Sequence, residues 1–133
     1  MDAELRVPIA ADADIVTARQ EGRRLASHLD FSPSDLTVIS AAISELARNI
    51  VEYAGSGEVH VRLVEKGGRR GVAITAADNG PGIADISLAM QDGYSTSGSL
   101  GLGLPGAKRL MDEFEIHTAV GKGTRVVMRK WAR

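Results

Sequence analysis

"EVHVRLVEKGGRRGVAITAAD" spans residues 58–78, and its reading decides the fold class. Val59, Val61 and Leu63 alternate with His60 and Arg62, the period of two that marks a strand with one buried face. KGGRRG (66–71) is a hairpin turn, and VAITAAD (72–78) is a second strand, apolar enough to lie centrally in a sheet.

Upstream the apolar period changes to 3.6. Ile15, Ala18, Gly22, Leu25, Ala26 and Leu29 share one face of a predicted helix over 14–29, with an acidic residue available to cap its start. In FSPSD (31–35), Ser32 is placed to cap a second helix, Pro33 fits its first position, and Asp35 completes a capping-box-like pattern. That helix continues through Leu36, Ile39, Ile43, Leu46, Ala47 and Ile50, and YAGSG (53–57) ends it with a glycine. Downstream, 79–100 reads as loop with a short helical turn near 86–90, followed by a third helix near 104–113. FEIHTAV (114–120) and TRVVMRKWA (124–132) form two last strands around the turn GKG. The predicted order is helix, helix, strand, strand, loop, helix, strand, strand. Hairpins segregated from helices imply an α+β sandwich with helices over one face of the sheet.

The 133 residues are expected to form one domain, with 44% hydrophobic and 25% charged residues supporting an ordinary core. Cysteine is absent, which excludes disulfides and thiolate metal sites. MDAELRVPIAADAD (1–14) lacks the features of a secretory signal, and no apolar run approaches the roughly 20 residues of a membrane span. The expectation is a cytoplasmic protein. A net charge of −1 and an aromatic content of 4% argue against nucleic acid as a partner.

Three stretches carry candidate chemistry. In SELARNIVEYAG (44–55), Glu45 and Asn49 stand i, i+4 on one helix face. Asparagine is a poor interior helix former but a good hard-oxygen ligand, and Mg²⁺ takes one or two protein oxygens beside phosphate and water. Glu45, one turn away, is placed to accept a proton as a general base. Taken alone, the pair is better explained as a solvated polar stripe on a surface helix. In AADNGPGI (76–83), Asp78 ends an apolar strand at an abrupt turn. Its carboxylate suits a ligand that presents an amine, such as adenine, and Gly80 and Gly82 admit a flat ring. An ordinary turn that begins with Asp is the alternative. In SGSLGLGLPGAKRL (97–110), Gly98, Gly101, Gly103 and Gly106 lead into a helix whose exposed N–H groups can receive phosphate oxygens. No Lys or Arg occurs between 72 and 107, so the backbone must do that work; Arg48 and Lys108 are the nearest basic candidates for a terminal phosphate. The G-x-G-x-x-G match at 101–106 follows a polar loop instead of a strand, so it does not indicate a dinucleotide fold. In GKGT (121–124), the Thr124 hydroxyl can share amine binding with Asp78. His28, His60 and His117 show no metal-ligand spacing.

Taken together and in this order, ELARNI, DNGPG, GLGLG and GKGT resemble the N box and glycine boxes of the Bergerat ATP-binding superfamily. With TARQEGRRLASHLDFS (17–32) and DGYSTSGSLGLGLPGAKRLMDEFEI (92–116), the resemblance covers nearly the whole chain. It is similar to the serine/threonine switch kinases of the stressosome, in the anti-sigma-factor kinase branch. The resemblance implies a two-layer α/β sandwich with a mixed, mainly antiparallel sheet. It implies ATP and Mg²⁺ as cofactors, Asn49 as the Mg²⁺ ligand, Glu45 as the base, and Asp78 as the reader of the adenine amine with Thr124 behind it. Gly80, Gly82 and Ile83 lie along the base, Gly101, Gly103 and Gly106 at the phosphates, and 83–100 forms a lid. The chain has no room for a phosphoacceptor domain of its own, so the acceptor is expected on another protein; the resemblance implies a serine or threonine of a STAS-domain partner. Release of the kinase activates a downstream PP2C-type phosphatase. The competing expectation is a nucleotide-gated anti-sigma or phosphatase-binding module with little turnover.

Overall fold

In the computed structural model, residues 4–80, 103–118 and 120–132 are described. The chain runs β1 (Glu4–Ile9), α1 (Asp12–Ala26), α2 (Pro33–Asn49), β2 (Gly57–Lys66), β3 (Arg69–Asp78), α3 (Gly103–Leu110), β4 (Glu113–Thr118) and β5 (Thr124–Trp131). The strands form one sheet in the order β1-β2-β3-β5-β4, and every neighbouring pair is antiparallel. The mixed sheet expected from the resemblance is therefore corrected to an antiparallel one among the described residues. The crossover through α3 does connect two strands of the same direction, β3 and β4. β5 inserts between them, so they never share hydrogen bonds.

β1 is a strand the sequence reading did not assign. Its alternation of Leu5, Val7 and Ile9 is short, and Pro8 weakens it as a strand signal. Pro8 is tolerated because β1 is an edge strand.

Register fixes the two faces of the sheet. Val7 pairs with Val59, Val59 with Ala76 and Ala76 with Val126; one step along, Val61, Ile74 and Met128 align. These side chains are buried with Ile39, Ile43, Leu46 and Ile50 of the α2 stretch and with Ile15, Ala18 and Leu25 of α1. Each fully buried aliphatic side chain contributes about 1.5–3 kcal/mol of transfer free energy. The helices cover this face alone.

The helix starts follow their local chemistry. Ser32 Oγ accepts the Asp35 N–H at 3.0 Å, with Pro33 opening α2. At α1 the acidic cap works from inside the helix: Asp14 Oδ2 accepts the N–H groups of Ala10 and Ala11 at 2.8 and 3.1 Å. Gly22 is where α1 meets α2, since a β-carbon there would overlap Ile43 Cδ1.

Candidate active site

The helix-facing side chains of β3 are Val72, Ile74, Ala76 and then Asp78, so Asp78 stands on the helix side at the end of the central strand. Its row across the sheet is Gly57, Asp78, Thr124 and Thr118. The Thr118 and Thr124 hydroxyls lie 2.9 Å apart, and Thr118 Oγ1 also donates to the Gly123 carbonyl at 3.1 Å. A carboxylate is thus neighboured by a coupled pair of hydroxyls, both half-buried.

Asp78 is held from three directions by positions that lack a β-carbon. Gly80 N–H donates to Asp78 Oδ1 at 2.9 Å, which fixes the carboxylate at the turn. A β-carbon on Gly80 would stand 2.6 Å from Ala54 Cβ. One on Gly57 would strike the Ala77 carbonyl and sit 3.0 Å from Asp78 Cβ. Gly123 has φ +82, and a side chain there would overlap the Asp78 carbonyl. Gly57 was missed by the sequence reading, although glycine inside a strand signals close backbone approach.

The other half of the site comes from α2. Its interior buries Glu45 at 8% exposure, and Asn49 is its last residue, half-buried. The Asn49 amide makes no side-chain hydrogen bond among the described residues, so its ligating oxygen is uncommitted. Glu45 Oε1 accepts from Arg48 Nη1 at 2.8 Å. Arg48, a sequence-level candidate for a terminal phosphate, is therefore engaged with the candidate base. Lys108 is exposed, with its Nζ 6.0 Å from the Phe114 ring centre.

Beyond Asn49 the chain does not end its helix at once. Ile50–Ala54 forms one π-helical turn, closed by Gly55 N–H to the Ile50 carbonyl at 2.8 Å. Such turns occur mostly as single insertions and are frequent at functional sites. Here the turn brings Ala54 against Gly80, and Ile50 Cγ2 would lie 3.0 Å from a β-carbon on Gly57. The end of α2 that carries Asn49 is thereby seated on the end of the sheet that carries Asp78.

α3 packs on α2, and Gly106 in its second turn is buried. Gly103 is the first residue of α3. Gly82, Ile83, Gly101 and the expected lid over 83–100 lie outside the described residues.

This donor set fits a nucleotide: a fixed acceptor beside hydroxyls at one point, and an uncommitted amide one turn from a buried carboxylate at another. Comparison with known proteins agrees. The model of the histidine kinase-like ATPase domain family matches residues 9–130. Over 133 residues, 100% of both chains, the sequence is 50% identical to the serine/threonine-protein kinase RsbT of Bacillus subtilis. It is 31% identical over 119 residues to an anti-sigma F factor of Clostridium kluyveri, covering 85% of this chain and 82% of that protein. Among solved structures, the RsbU and RsbW domains of a Mycobacterium tuberculosis protein superpose with a TM-score of 0.67 at 22% identity, over 100% of this chain and 33% of that one. The mycobacterial sensor histidine kinase MprB gives 0.58 at 20% identity, over 97% of this chain and 99% of that one, which supports the fold alone. The chain belongs to the histidine kinase-like ATPase family and, within it, to the RsbT-type serine/threonine kinases.

Proposed function

We propose that this kinase acts as a single cytoplasmic domain that transfers the γ-phosphoryl group of Mg²⁺-bound ATP to a serine or threonine of a STAS-domain partner. In the stress-response partner switch, its release then activates a downstream PP2C-type phosphatase. The observation that carries the nucleotide reading is the seating of the Asn49 end of α2 on the Asp78 end of β3 through Ala54 and Gly80. Among the described residues, no helix is long and apolar enough to cross a membrane.

ATP supplies a transferable phosphoryl group, and phosphoryl transfer asks the protein mainly for positioning and charge neutralisation. Asp78 would accept from the adenine amine, oriented by the Gly80 N–H, with Thr124 beside it. Asn49 would hold Mg²⁺ through its amide oxygen. Glu45 would take the proton of the acceptor hydroxyl, and Arg48 holds that carboxylate in place by a charge-assisted hydrogen bond. The glycines 101, 103 and 106 would offer backbone N–H groups to phosphate oxygens. Protection of Glu45 from water favours the enzyme over a binding module with little turnover, because a module that only senses nucleotide has no need of a buried carboxylate beside its metal ligand.

The test is to mix the protein with purified STAS-domain proteins, Mg²⁺ and labelled ATP, then map the modified residue. Label on one serine or threonine, lost with Glu45→Ala while ATP still binds, is expected. Nucleotide-dependent complex formation without label supports the binding module instead.

A further inference from the structure

The face of the sheet turned away from the helices has a shape of its own. On that face the central strand β3 carries small side chains from Gly71 to Ala77, namely Gly71, Ala73, Thr75 and Ala77, with Arg69 beyond them over the Trp131 ring. It is flanked by Glu58, His60 and Arg62 of β2 and by Arg125 and Arg129 of β5. The result is a trough floored by β3. Trp131 closes one end: a β-carbon on Gly71 would stand 2.7 Å from Trp131 Cε3. The other end opens as a concavity of about 340 Å³ lined by Glu58, His60, Arg62, Thr75, Ala77 and Arg125.

Ion pairing on this face is uneven. Glu58 is matched by Arg6 at 3.5 Å, and Arg129 by Glu113 and Glu115 at 3.4 and 3.1 Å. Arg62 and Arg125, both exposed, make no ion pair among the described residues, although Glu4 stands opposite Arg62 across the β1–β2 ladder. His60 Nε2 is buried without a hydrogen-bond partner among them, its nearest carboxylate oxygen, on Glu4, standing 3.4 Å away. The trough therefore has two guanidinium groups without an ion pair on opposite walls. By strand geometry their backbones are about 13 Å apart along the strands and about 10 Å apart across them.

The geometry points to this trough as a docking site for an acidic, extended segment of a partner protein, lying over Thr75 and Ala77 with carboxylates toward Arg62 and Arg125. Arginine suits that role through its fork of donors, which matches a carboxylate. The small floor residues let an extended backbone approach the sheet closely. Nucleic acid is a poor occupant, because the basic groups on this face are interleaved with Glu4 and Glu58 and the whole chain has a net charge of −1. The site is separate from the nucleotide, which is expected on the helix side of the same strand.

The experiment uses the full chain with a fluorescein-labelled peptide that has glutamate at alternate positions, and its counterpart with glutamine at those positions. Binding is read by anisotropy and mapped by amide chemical shifts. The glutamate peptide should bind and shift the amides of His60, Arg62, Thr75, Ala77 and Arg125. The glutamine peptide should bind about tenfold more weakly or worse, as should the glutamate peptide with the variant Arg62→Glu, Arg125→Glu. That variant should keep the ATP affinity of the wild-type protein, and Arg62→Gln, Arg125→Gln serves if the reversal perturbs folding. Equal binding of both peptides, shifts confined to the helix face, or displacement of the peptide by inorganic phosphate at equal charge would overturn the proposal. So would shifts on this face that depend on protein concentration alone, which would assign it to a second copy of the chain.

Discussion

Arg48 Nη1 donates a 2.8 Å hydrogen bond to Glu45 Oε1 across one turn of α2, immediately before Asn49. Glu45 is 8% exposed, so this is a charged donor serving a buried carboxylate and not a surface ion pair. The two side chains define separate expectations. Glu45→Ala should leave ATP affinity unchanged and reduce phosphotransfer by about 10²–10⁴-fold, the usual contribution of a positioned base. Arg48→Ala should reduce kcat by about tenfold through loss of alignment, with KM for ATP unchanged and partial recovery in Arg48→Lys. A raised KM for ATP in Arg48→Ala, with kcat intact, would make Arg48 a phosphate ligand and not a positioning group.

Asp78 separates binding from folding. Asp78→Asn keeps an oxygen that can accept from Gly80 N–H, so the turn at 78–80 should survive. It also offers an amide that can present a donor where adenine needs an acceptor. The loss of a charged acceptor is expected to cost about 1–3 kcal/mol of binding, or roughly 5–150-fold in affinity. Isothermal titration with ATP and Mg²⁺ measures the loss, and thermal denaturation of the free protein should move by only a few degrees. A collapse of the melting transition would show that Asp78 is structural first.

Much of this arrangement was legible in the sequence, for reasons the structure makes plain. Glu45 and Asn49 are four residues apart on a strongly periodic helix, and helical geometry alone puts them on one face. Asp78 ends a strand whose alternation fixes its side, so its row with Thr124 follows from the pairing of two hairpins. What escaped was set by contacts between distant segments. β1 has six residues and a proline, and only the free edge of β2 gives it a place. The π turn at Ile50–Ala54 has no local signature, since YAGSG reads simply as a helix end. The ion pair of Glu45 with Arg48 competes with other partners for a basic side chain, and spacing alone does not decide among them. The mixed sheet was expected from the family resemblance; β3 and β4 do run in the same direction, but β5 lies between them, and that is a matter of strand order.

Two turn glycines make an internal control. Gly121 and Gly123 both have positive φ, +78 and +82, but nothing lies within 4 Å of a β-carbon on Gly121. Gly121→Ala should therefore cost only the backbone strain of a left-handed residue, about 1–2 kcal/mol. Gly123→Ala adds an overlap with the Asp78 carbonyl and a contact of 2.9 Å with Asn79 Cα, both backbone atoms that cannot turn aside. Its cost should exceed that of Gly121→Ala by about 1–3 kcal/mol, and it should also weaken ATP binding because Asp78 must move. Urea titration of both variants gives the difference; equal midpoints would mean that the turn relaxes away from β3.

The contact of α1 with α2 at Gly22 and Ile43 offers the last test. A β-carbon at Gly22 would overlap Ile43 Cδ1, and it would lie 3.5 Å from Val61 Cγ2. Alanine gains about 0.8–1 kcal/mol of helix propensity over glycine, while forcing a methyl into a packed interface costs about 1–3 kcal/mol. The obstacle is the flexible end of one side chain, so Gly22→Ala should be destabilising by about 1 kcal/mol. Ile43→Val removes the Cδ1 methyl and alone should cost about 0.5–1.5 kcal/mol. Together the two changes exchange one methyl for another across the same gap. The double variant should be more stable than the sum of the single changes predicts, by about 1 kcal/mol or more. Strict additivity in chemical denaturation would mean that α1 and α2 separate to admit the methyl, and that the Gly22 contact does not set the helix spacing.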